Sequence, residues 1–319
     1  MSATVTLDEL LKEVPPEVER EVVDVRDKRR NHLQAAMREE TRLSMSFAGA
    51  DGREASTFSV PVKVEPGYPE ELERPTVRVD LKDMIALGRR RRDLLCARES
   101  LGFLCEFSGE LERLSFTAAP LAEDVLAAEA RWLDQLLALL DDASPVRQLL
   151  AVDRDILGVY RFGAPSNNWE SGHSITLYWG IIGLVSELLG CSASSLATVV
   201  LTHELGHAYT HLGADIDGCR WDNQDFHRAD LNLVEGLAQY FTERVLTRQR
   251  DRFPDALSAY RLLLKAQSGP YLAHLPWSDM NAPEAVRRAM LECRRRRIGC
   301  AEQFEARLSA AVDQLSPRA

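Results

Sequence analysis

Five residues in the second half of the chain, His203-Glu204-Leu205-Gly206-His207, set two imidazoles and a carboxylate at a spacing that suits metal chemistry. On a helix, four residues make about 400° of rotation, so His203 and His207 stand nearly above one another and can converge on one cation. Glu204 is turned about 100° from His203. That places it beside such an ion, where a carboxylate can take the proton of a metal-activated water. Two neutral imidazoles and a carboxylate suit zinc, one Zn2+ per chain, a redox-silent ion that keeps an open fourth position.

Two histidines leave the ion short of one protein ligand. A metzincin continuation would need glycine and histidine where the chain has Thr210 and Gly213, so the third donor must come from another element. Glu235 is the candidate. It is the lone carboxylate in the apolar stretch Asn232–Tyr240, and a carboxylate packed against apolar surface is costly unless paired or metal-bound. Asp215 and Asp217, in the polar interval before it, are alternatives as third ligands or as part of a calcium-like site, although the loop lacks the full spacing of a calcium loop. His211, one turn beyond His207, either lines the site or meets the last carbonyls of its helix. Tyr240, His227, Tyr271 and His274 all follow the motif as possible oxyanion donors, and nothing in the sequence ranks them.

The pattern His203-Glu204-Leu205-Gly206-His207, followed at a distance by Glu235-Gly236-Leu237-Ala238, resembles the gluzincin branch of the zincin metallopeptidases over about residues 155–250. The resemblance implies a zincin-like catalytic domain in which His203, His207 and Glu235 bind zinc and Glu204 is the general base. It also implies a peptide or protein substrate that pairs with an edge strand just before the motif helix. Ser174–Trp179, with Ile175, Leu177 and Tyr178, occupies that place. In thermolysin-like members an aspartate four residues after the ligand glutamate orients a ligand histidine. Gln239 stands there in this chain, an acceptor without charge, and joins Tyr240 and His227 as a candidate for supporting the ligands or the oxyanion.

The motif needs a rigid helix, and the sequence supplies one. Ser192 offers a cap before residues 193–212, Gly213 a stop, and the apolar content between them predicts a buried central helix. From about residue 180 onward the pattern is helical, over 181–189, 193–212, 229–249, 254–267, 282–297 and 301–315. Before it, 156–162 and 174–179 read as strands and 121–140 as a helix. The N-terminal part begins with a charged helix over 5–40. Alternating strands follow at 43–47, 58–64 and 77–81, then a helix over 81–99 and short strands at 103–107 and 111–116. The fold class expected is α+β. Residues 1–150 form an accessory α+β region, a lid, specificity or partner module that contacts a regulatory protein. Residues 151–319 form the mostly helical catalytic domain, a small sheet plus a helical bundle.

Of the 319 residues, 45% are hydrophobic and 28% charged, with net charge −10, which argues against nucleic acid or an anionic membrane as partner. No window approaches 18 uninterrupted apolar residues and the first twenty show no secretory pattern. The six cysteines are scattered without a CxxC pair. The expectation is a cytoplasmic protein with reduced thiols. The arginine runs at 89–92 and 294–297 read as solvated helix faces.

Overall fold

The computed structural model describes residues 4–47, 56–57, 59–72, 76–78, 91–113, 123–142, 145–151, 156–163, 172–280 and 282–315. In chain order, the first half contains β1 (Thr4–Thr6), α1 (Leu7–Leu11), α2 (Glu17–Thr41), β2 (Ser46–Phe47), β3 (Ser56–Thr57), β4 (Val62–Glu65), β5 (Thr76–Arg78), α3 (Arg91–Arg113), α4 (Glu123–Asp142) and α5 (Pro145–Leu150). The second half contains β6 (Gly158–Arg161), β7 (Ser174–Tyr178), α6 (Trp179–Leu189), α7 (Ala193–Leu212), α8 (Asn223–Arg228), α9 (Leu231–Arg248) and α10 (Pro254–Ala266). After a 3₁₀ turn (Gly269–Leu272) come α11 (Leu275–Asp279), α12 (Pro283–Arg296) and α13 (Ala301–Leu315). The chain is mostly helical with a small three-stranded sheet, an arrangement compatible with the α+β class.

Helix α7 occupies the centre because almost every residue along it is small or apolar, so it has no face suited to water. All of its positions except Ser194 and His203 are buried. It packs against α2, α9, α10, α6, β6 and β7. Its start is fixed twice: Ser195 N donates to the Ser192 hydroxyl at 3.1 Å, and Ser194 N donates to Glu21 Oε2 at 3.2 Å. A carboxylate at that end satisfies free N–H groups and opposes the helix dipole. Its other end is held by buried Arg294, which donates to the carbonyls of Gly213 and, at 2.8 Å, Cys219. Burial lowers the Arg294 pKa to about 10.

The three-stranded sheet has the order β4-β7-β6. β7 runs parallel to β4, with Val62 opposite Ile175, and antiparallel to β6, with Gly158 opposite Leu177. This corrects the expectation that Ser174–Trp179 is a substrate edge strand. β7 is the middle strand and ends at Tyr178, and Ile175, Leu177 and Tyr178 are buried. Hydrogen bonds on both sides leave its backbone no capacity for a further strand. Among the described residues β6 has one neighbour and is an edge.

Other departures have local causes. The 5–40 helix is divided by Pro15-Pro16 into α1 and α2. Residues 103–107, expected as a strand, lie inside α3, as do 111–113. Leu94, Leu101, Leu104 and Leu111 recur at steps of seven, three and seven, a helical period that outweighs the short alternation Phe103-Cys105-Phe107. Residues 114–116 and 81–90 lie outside the described residues, while 91–99 belong to α3. The expected strand over 58–64 is realised in part as β4, which pairs with β7, while β2 pairs with β3. Residues on both sides of position 150 contribute to one buried core, from Val22, Leu33 and Met37 to Leu201, Phe241 and Phe304. No single helix among the described residues is long and apolar enough to cross a membrane. The apolar pair α6 and α7 meets at 119°.

Candidate metal centre

Helix α7 carries His203 and His207 toward α9, and α9 carries Glu235 toward them. The three donor atoms converge. His203 Nε2 lies 3.0 Å from His207 Nε2, and Glu235 Oε2 lies 3.2 Å from His203 Nε2 and 3.4 Å from His207 Nε2. The group is nearly shut off from water, with side-chain exposures of 12%, 8% and 8%. Two imidazole nitrogens facing each other can share one proton at most, so the cluster is rich in lone pairs, and a bound cation satisfies all three donors at once. The three residues can hold a metal ion.

The electrostatics of His203 and Glu235 favour the forms a cation needs. Burial pushes the His203 pKa down, outweighing the hydrogen bond it donates to Glu235 when protonated, which raises it. Burial alone would raise the Glu235 pKa, but the charge of His207 and the hydrogen bonds from both histidines hold the carboxyl below its ordinary range. A neutral imidazole and an ionised carboxylate are the coordinating species.

The close packing of α9 against α7 and against α11 depends on small residues. A methyl group on Gly206 would lie 3.1 Å from both Cα and O of Ala238, and one on Gly236 would lie 2.6 Å from the Trp277 ring. The start of α9 is set by Asp230, whose carboxylate accepts from Asn232 N at 2.8 Å. On the sheet side, a methyl on Gly158 would meet Val200 Cγ1 at 2.6 Å and Glu204 Oε1 at 3.4 Å. The absent side chain lets β6 press against the turn that holds the Glu204 carboxylate.

A cleft of about 990 Å³ opens over the centre. His203, Glu204, Glu235, Gln239 and Tyr271 line it, with Leu150, Leu157, Val199, Val200, Leu263 and Ala266 forming an apolar wall. Gln239 does not orient a histidine. Its amide donates to Gln267 Oε1 at 3.1 Å, while the buried His203 Nδ1 has no hydrogen-bond partner. Tyr240 and His227 lie away from the cleft. Tyr240 is buried against Phe241 with its pKa raised to about 12 by burial, and His227 is exposed on α8 beside Phe162. His274 is buried and pairs with the Tyr260 hydroxyl at 2.9 Å. Asp215 accepts from Asp217 N and Cys219 N, and both aspartates pair with Arg295, so they close their own loop.

Two residues gain importance from the structure. Tyr271 sits on the 3₁₀ turn after Gly269, whose φ is +60°, with its ring centroid 5.8 Å from that of His203. The sequence named it without a reason to prefer it. Tyr160, on β6, was not singled out. Its hydroxyl lies 3.0 Å from His211 Nδ1 and 3.3 Å from His173 Nδ1, and its ring stacks at 6.5 Å on His207. His211 thus does not line the cleft; its Nδ1 meets the Tyr160 hydroxyl in place of a helix-end carbonyl, and burial lowers its pKa to about 3. Comparison with protein-family models, curated proteins and solved structures found no match.

Two outcomes follow. Gly206→Val forces α9 away from α7, because both close contacts are backbone, and metal affinity should fall by roughly tenfold or more in a chelator competition. Unchanged affinity would show that the close approach at Gly206 does not set the positions of the three donors. His211 is neutral when folded and protonates near 6.5 when unfolded. The unfolded state therefore binds more protons below 6.5, and the stability His211 contributes is complete above that pH and lost as pH falls toward about 3. Urea midpoints measured across this range should fall less steeply for His211→Phe than for the natural chain.

Proposed function

We propose that the protein is a zinc-dependent peptidase in which Glu204 is the general base, and that its sheet and helices form a zincin-like catalytic unit. The observation that carries this reading is the set of three donor atoms 3.0 to 3.4 Å apart with a second carboxylate, Glu204, beside them in an open cleft. Two ligands on a tetrahedral zinc at about 2.0–2.1 Å are separated by about 3.3–3.4 Å, so the donors already stand near the spacing zinc requires. When bound, zinc supplies an open coordination position, brings the pKa of its water to about 7 and polarises a substrate carbonyl.

The chain's own residues do the rest. Glu204 is 4% exposed and lines the cleft, so its carboxylate meets the attacking water in a desolvated place where proton transfer is not dissipated to solvent. It takes the water proton and hands it to the nitrogen of the departing amine. The Tyr271 hydroxyl is the donor of the cleft best suited to the oxyanion, because its ring already stands beside His203. The edge strand β6 offers an extended peptide a partner, and its first residue, Gly158, lines the cleft next to Glu204. A purely structural site would have no use for Glu204.

The test is Glu204→Gln. Peptide hydrolysis by the zinc-loaded protein should drop by about a hundredfold to ten-thousandfold while zinc content stays at the natural level. Hydrolysis retained within threefold of the natural chain would remove Glu204 from the mechanism.

A further inference from the structure

We infer that the groove between α12 and α13 is a docking surface for an acidic peptide segment of a partner protein, one that carries apolar side chains among its carboxylates. The groove, about 600 Å³ in volume, shares no lining residue with the cleft over the metal centre. This surface stands apart from the peptidase reading and does not depend on it.

The residue pattern of α12 makes the groove basic. Ala285, Val286, Ala289, Met290 and Cys293 recur at helical spacing and are buried, which leaves Arg287, Arg288, Leu291 and Arg295 on the other side of the helix. Of the arginine run 294–297, expected as a solvated face, Arg294 is buried and Arg297 pairs with Asp225 at 3.5 Å, while Arg295 and Arg296 line the groove. Helix α13 packs against α12 and adds Arg307, Ala311 and Leu315, four residues apart on one face.

The charges of the groove do not balance. Arg295 is committed to Asp215 and Asp217. Four arginines remain in the lining, against two glutamates. Arg287 donates to Glu284 at 3.0 Å, and one oxygen of Glu292 serves both Arg307 at 2.9 Å and Arg296 at 3.1 Å. Arg288 is exposed and has no ion pair or hydrogen bond among the described residues. Two positive charges therefore stand without a counterpart, on a chain whose net charge is −10. The Nε atoms of Arg287 and Arg307 are buried without a partner among the described residues, so Glu284 and Glu292 do not saturate these guanidinium groups. Their planar forks match carboxylates. Half-buried Leu291, buried Ala311 and exposed Leu315 give the same groove apolar surface. No aromatic residue lines it among the described residues, so it offers nucleobases nothing to stack on, and the net charge opposes a long polyanion. Carboxylates interspersed with aliphatic side chains fit this lining.

The experiment measures fluorescence anisotropy of three fluorescein-labelled probes with the full-length protein at low salt. The probes are a peptide alternating glutamate and leucine, a polyglutamate peptide with the same number of carboxylates, and an oligouridine. The mixed peptide should bind more tightly than polyglutamate, and its binding should weaken as salt screens the arginines. Arg288→Glu changes an exposed, unpaired side chain, so the urea midpoint should hold while affinity for the mixed peptide falls by about tenfold. Glu292→Gln releases Arg296 and Arg307 and should raise that affinity by about threefold. No binding of the mixed peptide by the natural chain, or equal binding by Arg288→Glu, would overturn the inference. So would an affinity that falls in Glu292→Gln. Polyglutamate bound as tightly as the mixed peptide would overturn the part given to Leu291 and Leu315. Oligouridine bound more tightly than either peptide, and released by Arg288→Glu, would overturn the assignment to a protein partner.

Discussion

A carboxylate and two imidazoles brought within 3.4 Å of one another in a nearly dry place form an arrangement that folding alone does not favour. Removing an ionised carboxylate from water is costly, and facing ring nitrogens compete for a single proton. Glu235 is stabilised in place only by what faces it. The rest of the protein is arranged to keep those three groups together despite that cost. Helix α7 is locked at both ends, by Ser192 and Glu21 at its start and by Arg294 at its finish. Helix α9 is drawn against it through Gly206 and Ala238, where only hydrogen atoms separate the backbones. Strong local attachment is what lets a weakly favoured cluster persist without collapse of the helices into a better-packed register.

The same constraint explains why the N-terminal segment is built into the core. Helix α2 covers a long face of α7, with Arg29 donating to Thr198 Oγ1 at 2.9 Å and Val22, Leu33 and Met37 buried. Strand β4 fixes the far side of β7 and thereby holds β6, whose Gly158 backs onto Glu204. Behind His207, the Tyr160 hydroxyl joins His173 and His211, so His207 faces a ring, 6.5 Å between centroids, that is itself held on two sides. Each support reaches the site through one intermediate residue, which is how a buried polar cluster gains a defined geometry.

Much of the centre was legible in the residues. The helix over 193–212 follows from a capping serine, a terminal glycine and apolar content, all local signals, and the structure has it at Ala193–Leu212. Glu235 stood out as a lone charge among small and apolar neighbours, and the structure places it at the cluster. What the residues did not reveal was long-range. That β7 lies between two strands depends on β4, more than a hundred positions earlier, and alternation in either strand carries no record of its partner. Gln239 had the right spacing to support a histidine, but its amide turns to Gln267, the residue just after α10. Tyr160 and Tyr271 looked like any other aromatic residues, because their roles come from neighbours brought in by the sheet and by the turn at Gly269. In α3, an alternation of three residues was mistaken for a strand where a longer helical period governs.

The central claim is that these three side chains form one metal site. Its most direct test is zinc content by elemental analysis after equilibration with excess zinc and removal of the unbound ion, comparing the natural chain with Glu235→Ala. The account predicts about one zinc per natural chain and loss or severe weakening of binding in the variant. No zinc in the natural chain, or zinc held equally well without the Glu235 carboxylate, would contradict it.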